Sequence, residues 1–521
     1  MRILSVKPGH DGSVAFVDDG RLLFSIEAEK DSFPRYGDLS APLVALALEM
    51  APDLPEVLAV GGWHKFLPGV HAGVGAGYYG LDSVESRDGS VFGRPVKIFT
   101  SSHERSHLYQ AAAMAPGAPV RECVILTWEG MLGSLYHWQD HGARVFPVPV
   151  LSQPGGRYAA LFALADPGFP DAGADPRPDY AGKLMALAAF GAGSEPEPAV
   201  RAVVNSLLTQ PTVYPFNKAR YRDSPLHNVG VHTAPLHAAA RYLSDRLFGI
   251  FRQAAERSMP RGLPLLISGG CGLNCEWNRR WRESGLFREV FVAPCTNDSG
   301  SALGTAADAQ AFYGAQCRLE WDVYRGQPFV QDTEPDRRLW SEQPFSVHAI
   351  AQAIAEGAVV AWAQGRCEIG PRALGHRSLL ASPLRPGTTK LLNEIKERES
   401  YRPIAPCCLA EDLSRWFRPP IDDPYMLYFS SVQGSALPAI THVDGTARVQ
   451  SVRPQDGSTL HPLLTAFRDL TGYGVLCNTS LNFAGHGFLN RTSELVLYCE
   501  SRDIDDIVVE GRWYRRRRDP G

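Results

Sequence analysis

The sequence predicts a mixed α/β protein of at least two domains, and three observations carry that expectation. Short apolar runs alternate with Gly-bearing turns at the N-terminus, a similar strand and turn pattern returns further on, and an apolar run later breaks into glycines ahead of a helix. The first pattern reads "RILSV", turn "KPGHDG", "SVAFV", turn "DDG", "RLLFSIE", which is the signature of a β-meander. The second is "VILTWEGMLGSLYHW", with strands expected at 124 to 128 and 133 to 138 and a helix over "HERSH" just before it, so two related halves are expected. The third is "LPLLISGGCGLNCEWN", in which a strand runs into Gly269, Gly270 and Gly272 and then a helix, an arrangement whose backbone N–H groups can cradle phosphate. Between 318 and 345 the chain turns polar and Pro-bearing with little periodicity, which marks the boundary between a unit at 1–335 and one at 345–521. The second unit opens with helical spacing in "SVHAIAQAIAEG" and a buried strand in "AVVAWAQG", then enters basic, Gly-rich turns from 365 to 402.

Bulk properties narrow the function. A chain of 521 residues exceeds the roughly 250 to 300 at which a single core stops growing. Hydrophobic content of 44%, charged content of 21% and a net charge of −4 give no general affinity for polyanions, so no nucleic-acid partner is expected. The basic run Arg515 to Arg518 reads as a solvated end. The ten cysteines form no small-domain framework, and neighbouring Cys407 and Cys408 are poorly disposed to bridge each other, so reduced thiols and a cytoplasmic setting are expected. Lys, His and Asp interrupt the first twenty residues where a secretion signal would be apolar, and no apolar window reaches the roughly 18 residues of a membrane span, so no membrane partner is expected either.

Three clusters carry chemistry. In "GRCEIGPRALGHRS", Arg366, Arg372 and Arg377 are read as loop residues free to converge, and Lys396, Arg398, Arg402 and Arg448 add further cations downstream. Guanidinium forks suit phosphate and carboxylate, and "GPRALGHRS" contains no acid, so a small-anion site is expected there. The segment "CNTSLNF" adds Asn478, Thr479, Ser480 and Asn482, short polar groups able to meet phosphate and a neutral amide together. In the N-terminal unit "PGHDGS" places His10 and Asp11 in a tight turn, and His10 has the titration range of a base acting on an alcohol. His103 and His107 stand one turn apart on the same helix face; with Glu129 at a strand end and Asp298 in a Gly-flanked loop they make a set that admits iron, manganese or zinc.

Taken in order, "GHDGSVA", "HERSH", "AGKLMALAAFG", "SGGCGLN", "PCTNDSGSALGTA", "GPRALGHRSLLASP", "NEIKERESYRPIAP", "THVDGTARVQ" and "CNTSLNF" resemble the antibiotic and nodulation-factor O-carbamoyltransferases over essentially the whole chain, most of all the members that act on 3-hydroxymethylcephem. The resemblance implies an N-terminal actin-like ATPase-fold domain, similar to the tRNA threonylcarbamoyl transferase, and a C-terminal YrdC-like domain. It implies that carbamoyl phosphate and ATP, with Mg2+, give carbamoyl adenylate in the second domain, and that an alcohol acceptor is carbamoylated in the first. By motif, Arg372, Lys396, Arg402, Arg448, Ser480 and Asn482 would hold carbamoyl phosphate and ATP phosphates. Lys183 and the three glycines would contact nucleotide; His103, His107 and Asp298 would bind one transition metal; His10 would deprotonate the acceptor. Two departures stand out: Glu129 where many relatives carry Asp, and "SFPRYGDLS" in place of a basic, His-bearing segment, which leaves Arg35 and Tyr36 as acceptor-binding candidates. A tRNA-modifying role is the alternative, with tRNA binding of steep salt dependence as its test. A monomer or a homodimer is equally compatible with the sequence.

Overall fold

A computed structural model describes residues 1–64 and 73–517, and by internal contacts the chain forms two units, 1–114 with 298–521, and 115–297. The expected boundary at 318–345 falls inside the first unit. The opening meander forms as Arg2–Lys7, Ser13–Asp18 and Arg21–Glu27, paired antiparallel. Alternate residues Val14, Phe16, Phe24 and Ile26 are buried against Leu43 and Ala47 of the helix Ala41–Met50, while Ala15 and Val17 between them are buried too, so the second strand is covered on both faces. Val57–Gly61 then pairs parallel with Arg2–Lys7, and Arg94–Ser101 parallel with Val57–Gly61, while Val84–Val91 closes the edge antiparallel. Numbered along the chain, with that edge strand left aside, the order across the sheet is third, second, first, fourth, fifth.

The same order recurs in the unit 115–297. Cys123–Trp128, Gly133–Gln139 and Arg144–Pro149 form an antiparallel meander, and Leu265–Ser268 and Val290–Val292 extend it in parallel. The two related halves read from the sequence are therefore real, and the repeated order is that of the actin-like class. "HERSH" does begin a helix, His103–Met114.

In the C-terminal part an eight-stranded mixed sheet runs Trp340–Gln343, Arg512–Arg516, Asp506–Val509, Val360–Ala363, Arg377–Ala381, Val475–Ser480, Ala405–Leu409, Gln450–Val452. Alternate residues of its central strands feed two cores. Ala361, Ala363, Leu379, Cys477 and Ile507 join one, while Val360, Trp362, Leu380, Leu476 and Val508 join the other with Leu463, Leu464 and Phe467 of the helix Leu460–Thr471. The polar stretch read as the boundary supplies the edge strand Trp340–Gln343.

Two expectations are corrected here. Arg377 is not a loop cation: it starts a strand paired on both sides, is fully buried, and donates to the carbonyls of Gln364, Gly365 and His376 and to Asn490 Oδ1. Arg366 likewise donates to the carbonyls of Gly326 and Arg325. Of the terminal basic run, Arg515 pairs with Asp506 at 2.9 Å and Arg516 with Asp503 at 3.1 Å, and Arg518 lies outside the described residues.

Candidate active site

Two clusters of polar side chains are assembled within the unit that joins 1–114 to 298–521. The first sits where the opening strand meets the helices His103–Met114 and Ser301–Phe312. Those helices cross closely because Gly304 has no side chain: a Cβ there would lie 1.7 Å from Ser106 O. The crossing brings the turn Asp298–Gly300 beside the first turns of the histidine helix. His103 Nε2 and His107 Nε2 are 3.1 Å apart, Asp298 Oδ2 is 3.5 Å from the former, and Asp298 Oδ1 is 3.4 Å from the latter.

All three residues are buried, and Asp298 Oδ2 and His103 Nδ1 have no hydrogen-bond partner among the described residues. Burial pushes the His103 imidazole down to about 3 against the pull of Asp298. Burial works against ionisation of Asp298, but the neighbouring histidines and Lys7 outweigh it and hold the carboxyl well below its usual range. A neutral imidazole and an ionised carboxylate are the ligand-ready forms, so these donors fit a divalent transition ion.

His10 faces this cluster from the turn between the first two strands, its Nε2 4.0 Å from Asp298 Oδ2 and its Nδ1 2.9 Å from Asp11 Oδ2. Its side chain is 45% exposed, so an acceptor can reach it. Burial lowers its pKa, yet the Asp11 hydrogen bond and the Asp298 charge leave it raised overall. The turn needs Gly9, at φ +76°, where a Cβ would strike the Trp63 indole. One residue of this site escaped the sequence reading: Lys7, 1% exposed, lies 3.5 Å from Asp298 Oδ2. A cation closing an apolar strand beside "GHDG" was its only signal.

The second cluster is cationic. Lys396, at the end of the helix Gly387–Ile395, donates to Ser480 O at 2.6 Å, Asn482 O at 2.9 Å and Asn482 Oδ1 at 2.6 Å, so the expected trio Lys396, Ser480 and Asn482 is brought together. Burial, then the charges of Arg398, Arg35 and Arg502, push Lys396 well below the ordinary ammonium range. Arg398 falls to about 9 through burial and the charges of Arg402 and Arg448. Burial also lowers Arg402, and Arg35 and Arg448 add repulsion that Glu399 partly opposes. Arg448 Nε is buried with no hydrogen-bond partner among the described residues. Six basic groups thus gather in one region, with Arg502 paired to Glu397 at 2.9 Å and Arg35 3.7 Å from Glu29, and a bound anion would offset the repulsion among the others. Arg35 and Arg502 were not foreseen in this role, because nothing local in sequence ties either to Lys396.

Arg372 stands on a loop fixed from several sides. Glu368 Oε1 accepts the N–H groups of Leu374, His376 and Arg377, Gln450 Nε2 donates to Leu374 O, and Asn478 Nδ2 donates to Ala373 O. Asn478, read as a possible ligand group, is therefore a support for this loop. The loop is also tied to the meander: Gly370 N donates to Glu27 Oε1 at 2.5 Å and Lys30 Nζ to Gly370 O at 2.7 Å, and Ala28 N donates to Gly12 O in the His10 turn. A short path of bonds thus links the His10 turn to the loop that carries Arg372.

The remaining candidates belong to the unit 115–297. Glu129 follows the strand Cys123–Trp128, buried, with Oε1 accepting Leu132 N at 2.9 Å. Gly269, at φ +95°, lets the backbone pass where a Cβ would lie 2.3 Å from Trp128 O, and Gly272 packs against Thr296. Their N–H groups are engaged by Thr296 O and Gly269 O, which leaves Gly270 as the glycine with open space beside it. Lys183 lies on the helix Asp179–Ala188, 3.5 Å from Asp179.

Comparison with known proteins gives two family matches, the carbamoyltransferase N-terminus over residues 251–307 and the carbamoyltransferase C-terminus over residues 351–516. The chain is 51% identical over 519 residues to proteins named 3'-hydroxymethylcephem-O-carbamoyltransferase from Amycolatopsis lactamdurans and from Streptomyces clavuligerus, with 99% of each chain covered in both cases. It is 33% identical over 566 residues to nodulation protein U of Rhizobium tropici, covering 99% of this chain and 96% of that protein.

Proposed function

We propose, for a chain that belongs to the carbamoyltransferase family, an ATP-dependent O-carbamoyl transfer to the hydroxymethyl group of a 3'-hydroxymethylcephem, the acceptor in the names of the relatives at 51% identity. The observation that carries the chemistry is the gathering of buried Lys396 with the partly exposed Arg398, Arg402 and Arg448 and with Arg35 and Arg502, whose mutual repulsion an anionic guest would relieve.

In the proposed sequence, water cleaves carbamoyl phosphate to phosphate and carbamate. A carbamate oxygen then bonds to the α-phosphorus of ATP, and pyrophosphate leaves with the electron pair of the broken P–O bond. Arg372, Arg402 and Arg448 clamp the phosphates, while Lys396 holds Ser480 and Asn482 in place to meet the carbamoyl amide. Carbamate is short-lived in water, so capture in an enclosed cationic site protects it. His10 then takes the acceptor's hydroxyl proton, the oxygen attacks the carbamoyl carbon, and AMP departs, leaving the carbamate ester. Lys183 and Gly270 would touch the nucleotide.

His103, His107 and Asp298 would hold one iron, manganese or zinc ion, with Glu129 as a further ligand on the sequence evidence alone. When bound, such an ion supplies a positive centre that stabilises the departing phosphate. Mg2+ would accompany ATP. No helix among the described residues is long and apolar enough to cross a membrane; a cytoplasmic setting is part of the proposal. The alternative tRNA-modifying role finds no support in the names of the relatives at 51% identity.

The test is carbamoyl phosphate-dependent pyrophosphate release from ATP, followed by product analysis with 3'-hydroxymethylcephem and other hydroxymethyl compounds. Arg372→Ala should abolish pyrophosphate release; unchanged release would remove the assignment of the cationic site.

A further inference from the structure

Lys7 contributes to a site in which no role was foreseen for it. Its Nζ lies 3.5 Å from Asp298 Oδ2, donates to the carbonyl of His10, and sits 3.7 Å from the centre of the Trp63 ring. The side chain is 1% exposed, so water does not screen its charge. We propose that the Lys7 ammonium is the resident counter-cation of Asp298, competing with a metal ion for that carboxylate and thereby setting how firmly the histidine pair can hold the ion. The proposal rests on the metal reading given above.

The argument is electrostatic. A buried carboxylate needs a cation close by, and Lys7 supplies one in the metal-free protein. The same ammonium then repels any divalent ion approaching Asp298 Oδ2, at a separation where unscreened charges interact strongly. Lys7 cannot simply swing away, because its donation to the His10 carbonyl and the indole beside it fix the side chain. The geometry therefore ties three things to one cation: the charge on Asp298, the position of the His10 turn and the hold on the metal. A metal site tempered in this way exchanges its ion more readily than the same ligands would without the lysine.

The experiment measures metal affinity directly. Metal-free wild type, Lys7→Met, Lys7→Gln and the His103→Ala, His107→Ala double variant are titrated with Zn2+ and Mn2+ in competition with a chromophoric chelator. Circular dichroism verifies folding. Lys7→Met removes the charge at similar volume, and Lys7→Gln keeps a donor for the His10 carbonyl. Both should bind the ions about tenfold or more tighter than wild type, and metal-free Lys7→Met should melt lower than metal-free wild type while regaining the difference on loading. A purely structural lysine would give the opposite sign, weaker binding. Equal or weaker binding by folded Lys7→Gln overturns the proposal and leaves the metal reading intact. Equal uptake by wild type and the double histidine variant overturns the metal reading, and the proposal with it.

Discussion

Replacing Gly304 by alanine tests how the metal donors are brought together. The added Cβ would lie 1.7 Å from Ser106 O, 2.7 Å from Ser106 C and 2.9 Å from Gln110 N, all backbone atoms of the facing helix that no side-chain rotation can move. Restoring ordinary contact, at about 3.2 to 3.4 Å from an oxygen, requires the two helices to part by roughly 1.5 Å. Overpacking of this kind costs about 1 to 3 kcal/mol, and the upper end applies here because only backbone can yield. The displacement matters more than the energy: His103 and His107 ride on one helix and Asp298 leads into the other, whereas metal–ligand distances tolerate only about 0.2 Å. Gly304→Ala should therefore lower the melting temperature, lose most of its bound metal by elemental analysis, and lose transfer to the alcohol while retaining carbamoyl phosphate-dependent pyrophosphate release. The control is Gly249→Ala in the helix Ala234–Ser258, where a Cβ meets nothing within 4 Å; it should be neutral or stabilising by up to about 1 kcal/mol. Full metal content and wild-type transfer in Gly304→Ala would refute the reasoning.

Other outcomes follow from the two clusters. His10→Ala should leave pyrophosphate release within about twofold of wild type and cut transfer by about 10²-fold or more, as separate assays of the two steps would read. Inorganic phosphate should raise the melting temperature of wild type, by an amount equivalent to about 2.7 kcal/mol at a hundred times its dissociation constant, and should do so far less for Arg402→Gln. Glu368→Gln, which removes the charge from an acceptor of three backbone N–H groups, should destabilise by about 1 to 3 kcal/mol and raise KM for carbamoyl phosphate by loosening the Arg372 loop. A variant of normal stability and KM would show that the loop does not depend on that carboxylate.

What the sequence made legible was what local pattern determines. The meander announced itself because Gly-bearing turns separate runs whose alternate residues face one core, and the histidine helix because its spacing is intrinsic to a single turn. Arg377 was misread for the complementary reason. Two glycines and a proline nearby suggest a loop, but pairing with Val360–Ala363 on one side and Val475–Ser480 on the other makes its position a strand, and the second of these partners lies about a hundred positions further along the chain. The same holds for the anion site. Lys396 meets Asn482 across 86 positions, and Arg35 joins the cations because the segment around it bonds to Gly485 and pairs with His486. Lys7 was overlooked because a strand-end lysine ordinarily points to water, and only the Trp63 ring and the Asp298 turn reveal that this one does not.

The division of the chain into 1–114 with 298–521, and 115–297, has a consequence for biosynthesis on the ribosome. The inserted unit is contiguous and can acquire its own core while translation continues. The meander that carries His10 must wait: Glu27, Lys30 and Asp31 find Gly370 and Arg491 only after several hundred further codons have been read. Nascent chains stalled before the final strand should hold a protease-resistant middle between two cleavable flanks, and the opening hundred residues made alone should lack the companions that bury their charges.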